Sequence, residues 1–122
     1  MLFIGAKVEF KSQPAPIAIS ATATLTIAQM LAGIIVTSGA VAINLTLPTG
    51  TLSDAGVTGP SLPVNGYFDW SIINTATSSG IVTLLVGSGH TIIGAAALSI
   101  TSSGSWRTRK TAANTFVTYR IG

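Results

Sequence analysis

Hydrophobic and polar positions alternate most regularly in the stretch VNGYFDWSIINT, residues 64–75. Phe68, Trp70 and Ile72 fall on one face of this stretch, and the residues between them fall on the other. The Asn65-Gly66 pair at its start is a turn signal, because both residues tolerate positive φ. The pattern predicts a strand with one buried face, on which Phe68, Trp70 and Ile72 anchor the core.

The same period of two recurs in short segments along the chain, separated by turn signals such as Ser102-Ser103-Gly104. A capping-box pattern at Thr26–Gln29 predicts one short helix that ends at Gly33. The longest irregular stretch, Thr49–Pro63, is compatible with a loop or with a helical turn around Leu52–Gly56. About eight short strands at regular spacing predict an all-β fold, an antiparallel β-sandwich with a jelly roll as the expected arrangement.

Residues 1–16 are predicted to form an extended N-terminal arm, ahead of a β-sandwich domain that covers residues 17–122. Apolar and charged residues alternate in this arm, and Pro14-Ala-Pro16 closes it in an extended conformation. The arm has two interpretations. One is a first edge strand followed by a stiff connector, and the other is a segment that pairs with a neighbouring subunit or a larger surface.

Composition indicates a chain whose surface is covered by partners. Only 7% of the residues are charged, against roughly 25% in ordinary globular proteins, while 48% are hydrophobic and the mean hydropathy is +0.64. The apolar runs are broken by polar residues and fall short of the ~20 residues of a spanning helix, and no signal peptide is predicted. Ser and Thr total 30, which keeps an uncharged β surface wettable. Stable assembly with other protein chains is therefore expected, and a membrane is not.

Residues suited to catalysis or metal binding are few. The single histidine, His90, follows a glycine turn, where a histidine is most often merely exposed. The three acids Glu9, Asp54 and Asp69 are scattered and form no local pair for acid–base chemistry. One histidine and three separated carboxylates also make no metal-ligand cluster, and the chain has no cysteine. We therefore expect no enzyme, no catalytic residues, no cofactor and no metal.

Basic residues are concentrated in one predicted strand near the C-terminus, which carries Arg107, Arg109 and Lys110. The net charge is +3 and the sequence pI is about 9.8. A nucleic-acid site needs a dense basic face interleaved with aromatics, and WRTRK is the one candidate. Arg107 and Arg109 share a face of the strand, which suits pairing with an acidic patch on another protein. A strand that faces solvent or a protein partner is favoured over a nucleic-acid site.

Six segments follow one another in a recognisable order: ATLTIAQMLAGIIVTSG (23–39), INLTLPT (43–49), VNGYFDWSIINT (64–75), LLVGSGHTIIG (84–94), SGSWRTRKT (103–111) and TFVTYRI (115–121). This order resembles that of the head decoration, or cement, proteins of tailed bacteriophages. The shared pattern is an opening of Leu-Thr, a short helix and Gly-Ile-Ile, then a Leu-Pro-Thr, a Phe-Asp-Phe-like strand with Asn-Thr, and a closing Arg-x-Arg/Lys strand. Residues 1–15 lie outside the resemblance.

The resemblance implies a jelly-roll or β-sandwich protein that assembles as a homotrimer on the outer surface of the virion's capsid. Its partner would be the major capsid protein, and it would clamp neighbouring capsid subunits against the pressure of the genome. No nucleic acid, membrane or small-molecule substrate is expected. The residues expected to contact the capsid belong to the arm and the basic strand: Leu2, Phe3, Ile4, Lys7, Lys11, Arg107, Arg109 and Lys110.

Two other functions fit the same pattern. A phage fibre or spike module that binds glycans or a host surface would use Tyr67, Trp106 and Tyr119 as stacking platforms. An assembly protein that contacts DNA would use the three basic residues of WRTRK. An enzyme is the third and remotest class.

Overall fold

The computed structural model describes residues 11–58 and 60–122, which contain ten strands and two short helices. Residues 11–16 lie outside the strands and are exposed. The helices are α1 (Ile27–Leu31) and α2 (Gly50–Gly56). The strands are β1 (Ile17–Ile19), β2 (Ala23–Thr24), β3 (Ile34–Thr37), β4 (Ile43–Leu47), β5 (Tyr67–Asn74), β6 (Val82–Val86), β7 (His90–Ile93), β8 (Ala97–Leu98), β9 (Ser102–Ala112) and β10 (Thr115–Arg120).

Both helices begin at a threonine cap. The Thr26 hydroxyl accepts a hydrogen bond from the Gln29 amide at 3.2 Å, and the Gln29 side chain accepts one from the Thr26 amide at 2.9 Å. This reciprocal pair confirms the predicted capping box, and Gly33, with a φ of +94°, turns the chain away after α1. The Thr49 hydroxyl caps α2 by accepting from the Leu52 amide. The structure therefore has two helices where one was predicted. Of the two alternatives for the irregular stretch Thr49–Pro63, the structure confirms the helical turn.

The strands form two mixed sheets. A six-stranded sheet has the order β1-β3-β5-β9-β10-β7, and a four-stranded sheet has the order β2-β4-β6-β8. From β1 to β8 the chain alternates between the two sheets, so β1, β3 and β5 run parallel to one another, as do β2, β4 and β6. The antiparallel pairs are β5 with β9, β9 with β10 and β6 with β8, and β7 runs parallel to β10.

The mostly β fold is as predicted, but both sheets mix parallel and antiparallel pairs, so the expectation of a purely antiparallel fold is wrong. After β3 and after β6 the chain passes to the other sheet and does not fold back against the strand just finished. Turn residues indicate where a strand ends and carry no information about which strand pairs with it next. The parallel pairs also differ from the antiparallel pairing of a jelly roll.

Side chains of both sheets and of α1 meet in one hydrophobic core. Trp70 of β5 and Trp106 of β9 stack there with ring centroids 5.1 Å apart, and both are buried. Ile72 is fully buried as well, whereas Phe68 is only partly buried and packs against the core. The remaining buried members are Leu25, Ile27, Met30, Ile35, Ile43, Leu45, Leu47, Val82, Leu84 and Leu98.

One predicted turn is part of a strand. Ser102, Ser103 and Gly104 belong to β9, where they pair with the end of β5. A side chain at Gly104 would meet the Trp106 ring and the Arg120 guanidinium at about 3 Å. The glycine is therefore explained by this close approach and not by a turn.

Candidate interaction surface

The outer face of the six-stranded sheet carries five polar side chains of β5, β9 and β10. We call them the arginine–tyrosine face: Tyr67, Asp69, Arg107, Arg109 and Tyr119. Strand register places Tyr67 opposite Arg109, and Asp69 opposite Arg107, with Tyr119 on the other side of Arg107. Their neighbours along the strands point inward to the tryptophan core, so a rigid sheet fixes the position of the whole face.

Arg107 is held by two neighbours on β5. Its Nε and Nη2 atoms donate to the two carboxylate oxygens of Asp69 at 2.7 and 3.0 Å, and its guanidinium lies 4.1 Å from the centroid of the Tyr67 ring. The hydrogen bonds from Arg107 hold the pKa of the Asp69 carboxyl below its ordinary value. Tyr67 is 54% exposed, so this charged and aromatic pair is presented at the surface.

Arg109 differs because its partners are neutral. Its Nε and Nη2 atoms donate to the Tyr119 hydroxyl at 3.0 and 2.7 Å, and its Nη1 donates to the Asn65 side-chain oxygen at 2.7 Å. Within the described residues, no carboxylate forms an ion pair with it. Arg109 is thus a positioned cation whose charge is left uncompensated by these contacts, which favours an anionic partner.

Lys110 points away from the two arginines and binds α2. Its Nζ lies 2.7 Å from Asp54 Oδ1, and only 13% of its side chain is exposed. The other Asp54 oxygen accepts a hydrogen bond from the Asn114 amide at 2.9 Å. The hydrogen bond from Lys110, followed by that from Asn114, lowers the pKa of Asp54. Asp54 therefore joins α2 to β9 and to the β9–β10 turn. Because Lys110 is taken up in this contact, the three basic residues of WRTRK do not form one basic face.

Of the eight residues predicted to contact the capsid, the structure brings Arg107 and Arg109 together and separates Lys110 from them. Lys11 is exposed at the start of the described chain. The four others, Leu2, Phe3, Ile4 and Lys7, lie outside the described residues. Sequence reasoning missed Asn65 and the pairing of Asp69 with Arg107, because neither contact is local in the chain.

Trp106 is not available as a stacking platform for a glycan. Its ring is fully buried against Trp70 on one side, and the Arg120 guanidinium lies 4.8 Å from its centroid. The expectation that Trp106 sits at the surface is therefore wrong. Of the three aromatics in that hypothesis, Tyr67 is exposed and Tyr119 is partly exposed.

His90 is buried, with 2% of its surface exposed, so the expectation of an exposed loop histidine is also wrong. Its Nδ1 lies 3.0 Å from the Pro48 carbonyl oxygen and its Nε2 lies 2.6 Å from the Thr118 hydroxyl. The Thr118 hydroxyl is 2.8 Å from that of Thr108, which accepts a hydrogen bond from Trp70 Nε1 at 2.9 Å. We call these four side chains the threonine–histidine relay.

The direction of every bond in the relay follows from its two ends. The indole of Trp70 can only donate and the carbonyl of Pro48 can only accept. His90 therefore carries its proton on Nδ1 and accepts at Nε2 from Thr118, which in turn accepts from Thr108. Burial lowers the pKa of His90 and outweighs the opposing effect of the Pro48 carbonyl, so the neutral ring is the stable form. The relay is a structural network inside the core.

Residues 11–58 and 60–122 contain no group of three or more His, Cys, Asp or Glu side chains that could hold a metal ion. No helix in these residues is long and apolar enough to cross a membrane. Comparison of the chain with protein-family models, with curated proteins and with solved structures found no match.

Proposed function

We propose that this protein is a capsid decoration protein, which binds the outside of a bacteriophage head as a homotrimer and cements neighbouring capsid subunits. The β domain, proposed as a sandwich of the jelly-roll kind, would serve as the rigid body. The arginine–tyrosine face and the N-terminal arm would contact the major capsid protein. Stabilisation would be by mass action, because a partner that binds only the assembled lattice adds its binding free energy to that lattice.

The observation that carries this proposal is Arg109. In a chain with six basic and three acidic residues, Arg109 is positioned by neutral partners on a rigid face and, within the described residues, pairs with no carboxylate. Such a group is preorganised to pair with a carboxylate of another protein, since the side-chain entropy of holding it is already lost. The adjacent exposed Tyr67 offers the aromatic contact that protein interfaces favour.

The test is co-sedimentation with undecorated capsids. Arg109→Gln should lower capsid occupancy at least tenfold, and deletion of Met1–Ser12 should abolish binding while the β domain stays folded by circular dichroism. Thr83→Glu, on the outer side of the four-stranded sheet, changes the net charge by the same amount as Arg109→Gln and is the matched control. Unchanged occupancy for both Arg109→Gln and the truncation would refute the proposed contacts.

A glycan-binding module is the second candidate, and the exposure of Tyr67 is the observation that favours it. With Trp106 buried, the site would consist of Tyr67, Tyr119 and the two arginines. Reproducible hits on an oligosaccharide array that are lost in Tyr67→Ala would support this function. A wild-type protein that coats capsids and gives no array signal would exclude it.

A further inference from the structure

An apolar groove of about 350 Å³ lies beside α1, on the side where that helix begins. Leu25 and Ile27 are buried beneath it, and Leu52 at its rim is 60% exposed. α2 approaches Ile27 closely because residue 56 is a glycine, whose missing side chain leaves room for the isoleucine. The groove is lined by Thr24, Leu25, Thr26, Ile27, Pro48 and Leu52, none of which is charged.

The start of the described chain is attached to α1, the helix that borders this groove. The Gln13 side chain donates to the Ala32 carbonyl oxygen at 2.6 Å, which fixes the chain at the far end of α1. Because α1 has five residues and rises about 1.5 Å per residue, its two ends are only about 8 Å apart. Residues 1–10 can span up to about 33 Å when extended, so the segment ahead of Lys11 is long enough to reach the groove.

The chemistry of that segment matches the groove. It carries the consecutive apolar residues Leu2, Phe3 and Ile4, and its charged residues, Lys7 and Glu9, lie between these and Gln13. A short tether also raises the effective concentration of the segment to the order of millimolar, well above a second copy at micromolar concentration. The groove is therefore expected to hold the segment ahead of Lys11 of its own chain and not that of a second copy.

We propose that residues Leu2–Ile4 dock into the apolar groove of their own chain in the free protein. The groove then shields the most apolar part of the arm from water until another surface competes for it. This docking concerns the free protein and holds whether or not the protein binds capsids. Where it does, the capsid must displace the segment from the groove, and blocking the groove should increase capsid affinity.

The absence of cysteine from the sequence allows a direct test by disulfide trapping. In Phe3→Cys/Leu52→Cys, mild oxidation should form an intrachain disulfide at least tenfold faster than in the control Phe3→Cys/Ile81→Cys. Ile81 is 45% exposed and its carbonyl oxygen accepts from the Ile43 amide at the start of β4, whereas Pro48 of the groove follows the end of β4, about 17 Å away at about 3.3 Å per residue. Equal rates in the two pairs would overturn the proposal.

Disulfides formed only between two chains would also overturn it, because the groove would then hold the segment of a second copy. A second measurement avoids cysteine altogether. Deletion of Met1–Phe10 should shift the methyl resonances of Leu25 and Ile27 and leave those of Ile72, in the tryptophan core, in place. Unchanged groove methyls would show that the segment does not dock there. None of these measurements contains capsids, so their failure is separate from failure of the proposed function.

Discussion

Replacing Thr118 by valine tests the threonine–histidine relay with almost no change in shape. The Thr118 hydroxyl is fully buried, donates to His90 Nε2 and accepts from Thr108. Valine fills the same space and can do neither. The variant therefore leaves the Thr108 hydroxyl without an acceptor and His90 Nε2 without a donor, both inside the core.

The magnitude follows from these two groups. Each buried polar group left without a partner costs roughly 1–3 kcal/mol, so Thr118→Val should lower the free energy of unfolding by about 3 kcal/mol. For a domain of this size that corresponds to a fall in Tm of roughly 10 °C. Thr91→Val is the control, because Thr91 is exposed on β7 and its substitution should cost less than about 0.5 kcal/mol.

The assay is urea unfolding followed by tryptophan fluorescence, extended to a double-mutant cycle with Thr108→Val. The double variant removes both members of the bond between Thr108 and Thr118, so it should cost less than the sum of the single variants by about 1–2 kcal/mol. A Thr118→Val variant as stable as Thr91→Val, or strict additivity in the cycle, would refute the relay as a coupled network.

Two further predictions concern the same core. Burial lowers the pKa of His90 in the folded chain. As the pH falls through the ordinary histidine pKa of about 6.5, the unfolded chain therefore takes up a proton and the folded chain does not. The free energy of unfolding should therefore be highest above pH 6.5 and fall below that pH by up to about 1.4 kcal/mol per pH unit. In urea titrations between pH 7 and 5, the variant His90→Gln should lack this slope. Trp70→Ala should cost about 3–5 kcal/mol as a large core truncation, and a small shift of the urea midpoint would show that the stacked tryptophans contribute little.

Local patterns were enough to predict some of the individual elements. The alternation in VNGYFDWSIINT gave β5 and its buried Trp70 and Ile72, and the capping box gave α1. These signals depend on residues within a few positions of one another, where strand and helix periodicity act directly. The same patterns identified Arg107 and Arg109 as neighbours on one face, because residues two apart on a strand share a side.

Long-range pairing could not be predicted in the same way. Nothing near Asp69 in the chain indicates that β9 will lie beside β5, yet that pairing creates the ion pair with Arg107. His90 is similar, because its glycine turn resembles a surface loop while its burial depends on β10 and on Pro48, 42 residues away. The antiparallel expectation failed for this reason as well, since it assumed that a turn joins neighbouring strands of one sheet.

The pairing of β5 with β9 has a consequence for synthesis of the protein. Trp70 has its stacking partner at position 106, and β9 separates β5 from β10 in the six-stranded sheet. A nascent chain that ends before Ser102 lacks β9 and β10 and leaves one side of β5 unpaired, with half of the tryptophan pair exposed to water. Contacts of such long sequence separation form late. The domain should therefore complete its folding only after residues 102–122 have left the ribosome, and chains terminated before Ser102 should aggregate.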